Sequence, residues 1–136
     1  MKQNLFKLAL VLGILGLTAL ACGGSFTTAN FSDAYMAKDQ EGTQKTTIFT
    51  GSDTFYAIID IANAPDDTVV KAVWIAVDAE GEQPNLTIDE VSYTTGDAQL
   101  YFYLTNEQGL LWPNGQYRVD LYINDKLEKS LEFQVQ

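Results

Sequence analysis

The chain has 136 residues, a formal net charge of −10, a single cysteine and no histidine. That length holds one domain with enough chain to bury a core. The inventory excludes Cys/His zinc sites and Ser-His-Asp chemistry, and with one thiol there is no intrachain disulfide. The acidity repels phosphate backbones, so nucleic acid is not an expected partner.

The first segment sets the compartment. Lys2 and Lys7 form a short positive end, an uncharged apolar run covers residues 8–21, and Ala19-Leu20-Ala21-Cys22 follows with Gly23 and Gly24 behind it. This is the layout of a secretory signal with a cleavage site ending in cysteine. The run counts 14 residues, where crossing a bilayer takes roughly 20. The stretch resembles the bacterial lipoprotein signal, with Ala19 and Leu20 standing where the commonest lipobox has Leu and then a small residue. The resemblance implies that Cys22 receives a diacylglyceryl thioether and, after cleavage, becomes the acylated N-terminus. Two or three chains make a stable anchor where one does not, so the expected location is exported and lipid-anchored to a bacterial membrane. A transmembrane helix and an ordinary cleaved signal are the other readings of the same residues.

Loss of residues 1–21 takes Lys2 and Lys7 with it, leaving 115 residues in which six bases face 18 acids, a balance of −12. The expected division is a signal peptide over residues 1–21, the lipidated cysteine and a flexible tether over 22–30, and a folded domain over 31–136. Gly23, Gly24, Ser25, Thr27 and Thr28 give the tether its small, polar composition.

Downstream, the spacing predicts strands and no helix. Residues 31–37 form a first strand, residues 38–45 a polar loop around Gly42, and residues 46–49 a short β-prone run before a turn at Gly51-Ser52-Asp53. Phe55, Ala57, Ile59 and Ile61 alternate with Tyr56, Ile58 and Asp60, which is the period of a half-buried strand. After a turn at residues 65–68, Val73, Ile75 and Val77 share one face and Val70, Ala72, Trp74 and Ala76 the other, as in an interior strand. In residues 86–94, Leu86 and Ile88 have the opposite parity from Val91 and Tyr93, which predicts a bulge or a change of sheet near Asp89 and Glu90. Leu100, Phe102 and Leu104 alternate with Tyr101 and Tyr103. The final hairpin alternates Tyr117, Val119, Leu121 and Ile123 with Arg118, Asp120 and Tyr122, turns at Asn124-Asp125, and returns with Leu127, Leu131, Phe133 and Val135 on the buried face.

About seven short strands joined by turns predict an all-β antiparallel sandwich or small barrel. Specific residues favour the sandwich. Gly115-x-Tyr117-x-Val119 resembles the tyrosine corner of immunoglobulin-like domains, with Val119 in the place of the second core cysteine. Trp74 resembles their buried strand-C tryptophan, with Ile59 or Ile61 in the place of the first cysteine. The resemblance, to the immunoglobulin-like or fibronectin-III-like superfold, covers residues 31–136. The segment from Trp112 through Val135 is also similar to the end of small, uncharacterised bacterial lipoprotein sandwiches. Such a fold hosts many unrelated functions.

The expected function is therefore a non-enzymatic binding or structural module at the envelope, with no cofactor and with a protein or glycan as partner. Two alternatives rest on named residues. Asp66, Asp67, Glu80 and Glu82 are oxygen ligands for calcium, although the two pairs lie at opposite ends of one strand. Tyr101, Tyr103, Trp112 and Tyr122, with Tyr56, are candidate binding aromatics for stacking on sugars or burial at a protein contact. A carboxylate hydrolase would draw on Asp89, Glu90, Glu80 or Glu82, but neighbouring acids on a strand face opposite ways. Asn30-Phe31-Ser32 and Asn85-Leu86-Thr87 match the glycosylation pattern, which a bacterial lipoprotein does not normally use.

Overall fold

The computed structural model describes residues 27–136. The apolar signal helix expected over residues 1–21, and Cys22 with its lipidation, lie outside the described residues. Eight strands follow: β1 (Asn30–Ala37), β2 (Ile48–Phe49), β3 (Phe55–Ala62), β4 (Thr68–Ala79), β5 (Leu86–Thr95), β6 (Ala98–Leu104), β7 (Gly115–Ile123) and β8 (Lys126–Val135). They form two sheets, one ordered β1-β3-β6 and the other β2-β8-β7-β4-β5. The fold is an all-β sandwich, antiparallel except where β2 runs parallel to β8 through Ile48 and Phe49.

The alternation predicted for β3, β4, β6 and β7 sets the core. Phe55, Ala57, Ile59 and Ile61 of β3 meet Val70, Ala72, Trp74 and Ala76 of β4, with Phe102 and Leu104 of β6 and Tyr117, Val119, Leu121 and Ile123 of β7 closing the layer. Trp74 is fully buried, and its register neighbours are Val119 on one side and Asp89 on the other. Burying a side chain of this size contributes on the order of 2–3 kcal/mol. β4 is the interior strand that its two apolar faces predicted.

Four register shifts interrupt the ladders, and in the one between β4 and β7 Val77 is the extra residue, with Ala76 opposite Tyr117 and Asp78 opposite Gln116. In β5 the register passes from Asp89 opposite Trp74 to Thr87 opposite Ile75, so Ile88 is the extra residue of a bulge, which accounts for the parity change. In β1 a shift between Phe31 and Asp33 leaves Ser32 unpaired. In β8 the register passes from Lys129 opposite Leu121 to Leu127 opposite Tyr122, so Glu128 is extra. This last bulge corrects an expectation: Leu127 leaves the buried set and stands 49 % exposed on the outer face. The outer face of β7 departs from a wholly wet surface as well. Asp120 is buried, and its Oδ1 accepts hydrogen bonds from Ser130 Oγ at 2.6 Å and Arg118 Nε at 2.9 Å, which compensates a charge taken out of water.

Both ends of the last hairpin follow local chemistry. Asn124 and Asp125 have φ of 47° and 64°, the pair of left-handed residues a two-residue hairpin turn needs. At the other end, the Tyr117 hydroxyl donates to the Pro113 carbonyl at 2.7 Å, the tyrosine-corner bond four residues upstream. Gly115 adopts φ of 152°, and a Cβ there would run into the carbonyl of Asp78 and the Cα of Ala79. The expected tether ends inside the fold: Ala29 is buried, Thr28 Oγ1 donates to Asn63 O at 2.8 Å, and Asn30 already pairs with Ala62.

Gly115→Ala should lower stability by about 2–3 kcal/mol, since β4 leaves no space for a methyl group, and the shift of the urea midpoint measures it. Tyr117→Phe should cost about 1 kcal/mol at neutral pH through the lost hydrogen bond. Burial, and secondarily the Glu82 carboxylate, pushes the Tyr117 hydroxyl up from 10.0 to about 12. Between those values the unfolded chain releases a proton that the folded chain retains, so stability falls as pH rises through this window. Urea titrations between pH 8 and 11 should show this fall in the parent and a shallower one in Tyr117→Phe; identical slopes would contradict the assignment.

Candidate functional site

The period of two that buries Phe102 and Leu104 puts Tyr101 and Tyr103 on the outer face of the three-stranded sheet. Register places Tyr56 directly opposite Tyr103, and Ile58 opposite Tyr101. The three rings form a nearly equilateral triangle, with centroids 6.3 Å apart for Tyr56 and Tyr101, 6.2 Å for Tyr56 and Tyr103, and 6.3 Å for Tyr101 and Tyr103. Tyr101 is 39 % and Tyr103 51 % exposed. Aromatic bodies with polar tips on a rigid, wet face suit contact surfaces, because little side-chain entropy remains to be lost.

A fourth tyrosine, Tyr35, stands on the same sheet opposite Ile58. The loop at residues 38–45 covers both: a Cβ on Gly42 would fall against the Tyr35 hydroxyl and the Ile58 side chain. Lys45 Nζ sits 3.6 Å from the centroid of the Tyr35 ring, a cation–π contact. Asp39 closes this loop, its carboxylate accepting from the Thr43 hydroxyl at 2.7 Å, the Thr43 N–H at 3.0 Å and the Gln44 N–H at 2.7 Å. Those bonds, led by the Thr43 hydroxyl, hold its carboxyl below the usual range. Lys38 ties the loop to Asp53 at 2.9 Å.

The other candidate aromatics go elsewhere. Tyr122 lies on the outer face of the five-stranded sheet, with Lys71 Nζ 4.7 Å from its ring. Trp112 packs into one end of the sandwich, its ring 5.1 Å from Phe55 and its backbone N–H donating to Gly51 O at 2.8 Å. Of the five named at the outset, Tyr56, Tyr101 and Tyr103 come together. Tyr35 was not singled out, although it shares its parity with Asp33 against the inward Ala34 and Met36.

The acids do not assemble. Asp66 and Asp67 precede β4, whereas Glu80 and Glu82 follow it, at the opposite end. Glu90 faces outward, 3.8 Å from Lys71, while Asp89 has the inward parity of Val91 and its Oδ1 accepts the Glu90 N–H at 2.8 Å. Among the described residues, no three His, Cys, Asp or Glu side chains stand close enough to hold a metal ion.

No protein-family model and no curated protein matches this chain. Solved structures do match its fold. An immunoglobulin-like protein from Pseudomonas aeruginosa is 13 % identical with a TM-score of 0.52, over 83 % of this chain and 100 % of that one. The alkylpurine DNA glycosylase AlkC of Pseudomonas fluorescens, bound to DNA containing an abasic site analog, is 13 % identical with a TM-score of 0.54, over 81 % of this chain. The match spans 31 % of the glycosylase chain. At such identity the likeness is one of architecture, and the architecture is an immunoglobulin-like β-sandwich.

Proposed function

We propose that this chain is a lipid-anchored, non-enzymatic binding module of a bacterial envelope, and that it grips its partner with the Tyr56, Tyr101 and Tyr103 triangle. The triangle carries this reading: three neighbouring rings are left on the outer face of a sheet whose inner face supplies the core. Supporting it, the chain has no histidine and only Cys22 as a thiol. Asp39 and Asp53 are both held toward the charged form, opposite to what a general acid needs.

The geometry at the N-terminal end accords with an anchor at Cys22. Thr28 and Asn30 enter beside Asn63 and Ala62. Asp97 Oδ1 accepts the Ala64 N–H there at 2.7 Å, and the Asn124-Asp125 turn joins the same end through Val69. With Asp66 and Asp67 this end is rich in carboxylates, which anionic headgroups repel. The domain then stands off the bilayer with its tyrosine face turned sideways, toward a partner in the envelope space.

A glycan is the second reading of the partner, favoured because the rings share one sheet face. Tryptophan emission would miss it, since Trp74 is buried and Trp112 lies at an end of the sandwich; tyrosine absorbance or emission is the appropriate signal. Two experiments separate anchor from grip. Labelling cells with an alkynyl fatty acid should mark the parent and not Cys22→Ala, and equal labelling would remove the anchor. Tyr101→Ala/Tyr103→Ala, anchored normally and folded, should lose at least tenfold in retention of envelope protein or glycan fractions; unchanged retention would remove the tyrosine face.

A further inference from the structure

We propose that the outer edge of β8 over residues 126–132 accepts an extended, acidic peptide segment as an added strand. β2 covers that edge only at its far end, where the Gln134 N–H donates to Thr47 O at 2.9 Å and the Gln136 N–H to Phe49 O at 3.0 Å. Peptide groups alternate sides along a strand, so those of Glu132 and Ser130 point the same way as that of Gln134. No strand pairs with this stretch on its outer side among the described residues.

The edge that faces it across the sandwich is closed by its own chemistry. In β1 the Ala34 N–H donates to Asp33 Oδ1 at 2.9 Å, and the Met36 carbonyl accepts the Thr46 N–H at 3.1 Å. Between the two edges lies a groove of about 530 Å³ whose lining includes Tyr35, Met36, Lys45, Lys129, Leu131 and Glu132. One open ladder beside a partly apolar trough is what strand addition uses, the main chain giving affinity and the side chains selectivity.

Charge identifies the occupant. Two of the six bases downstream of the signal, Lys45 and Lys129, line this groove, against the single carboxylate of Glu132. The Tyr35 ring holds the Lys45 ammonium in place. Lys129 stands opposite buried Leu121, an inward-pointing charge on an edge strand. Such a charge blocks pairing with a second copy, which would set Lys129 against Lys129 about a two-fold axis centred on the open stretch. The bulge at Glu128 acts in the same sense. Lys129 and Leu131 share the inward face, so a different chain whose inward-facing positions carry a carboxylate beside Lys129 and an apolar side chain beside Leu131 would match the groove.

The test uses the full chain in detergent micelles and two eight-residue probes, (Glu-Thr-Val-Thr)2 and (Lys-Thr-Val-Thr)2, in which charge and Val alternate along one face. The acidic probe should slow amide exchange at Ser130 and Glu132, and the basic probe should not. Lys45→Gln and Lys129→Gln should each weaken the acidic probe about 2- to 5-fold, and Lys45→Glu/Lys129→Glu should reverse the preference while leaving the tyrosine face able to retain its partner. Unchanged exchange at Ser130 and Glu132, equal binding of the two probes, or concentration-dependent self-association through this edge would overturn the proposal. The exchange readout on the unsubstituted chain decides even where a variant fails to fold.

Discussion

Phe55 is the contact on which the sandwich turns. Its ring lies 5.0 Å from Phe49, 4.9 Å from Phe133, 5.1 Å from Trp112 and 6.0 Å from Tyr117, so one side chain of the small sheet touches β2, β8, β7 and the crossover at once. Edge-on and tilted aromatic pairs of this kind add about 0.5–1.5 kcal/mol each beyond their buried area. With no cysteine among the described residues, this knot joins the two sheets without a disulfide. It also explains why β2 needs only two residues: Phe49 is held by Phe55 and Phe133 more than by the ladder.

With the sheets fixed at that end, the tyrosine corner and Gly115 fix where β7 begins, and β7 orders β8 and β4 on either side. Each element is then displayed by a rigid neighbour. The loop at residues 38–45 shows the same economy, because Asp39 satisfies three local donors and Lys38 closes an ion pair with Asp53. A segment that reads as plain polar loop thereby becomes a fixed cover over Tyr35 and Ile58, and the open tyrosine surface shrinks to three rings.

What the sequence disclosed, and what it did not, follows from the reach of a period-2 pattern. Alternation identified the inner faces of β3, β4, β6 and β7, and the Gly-x-Tyr-x-Val spacing located the corner, because these depend on residues close in the chain. Leu127 was misplaced because one extra residue, Glu128, reverses parity without any turn signal to announce it. The Ile88 bulge was legible for the opposite reason, since Leu86 and Ile88 conflicted openly with Val91 and Tyr93. Parity marked Tyr56, Tyr101 and Tyr103 as outward, but strand order alone makes β3 and β6 neighbours and their rings a triangle. No local pattern separates Tyr122 from that set, yet it belongs to the other sheet.

The two faces of the molecule differ in how they treat water, and this division has a physical basis. The outer face of the five-stranded sheet is internally paired: Arg118 and Ser130 saturate Asp120, and Lys71 lies against Tyr122 and within 4 Å of both Glu90 and Asp125. Such pairs contribute little stability where exposed, but they leave few groups seeking partners. On the small sheet the rings of Tyr56, Tyr101 and Tyr103 meet one another and the solvent, and no charged group among the described residues hydrogen-bonds their hydroxyls. A surface that has already matched its polar groups gains little from contact, whereas one that holds rigid rings in water gains from every ring that a partner covers. The proposed tyrosine grip rests on this unequal pairing of the two faces more than on the acidity spread over both.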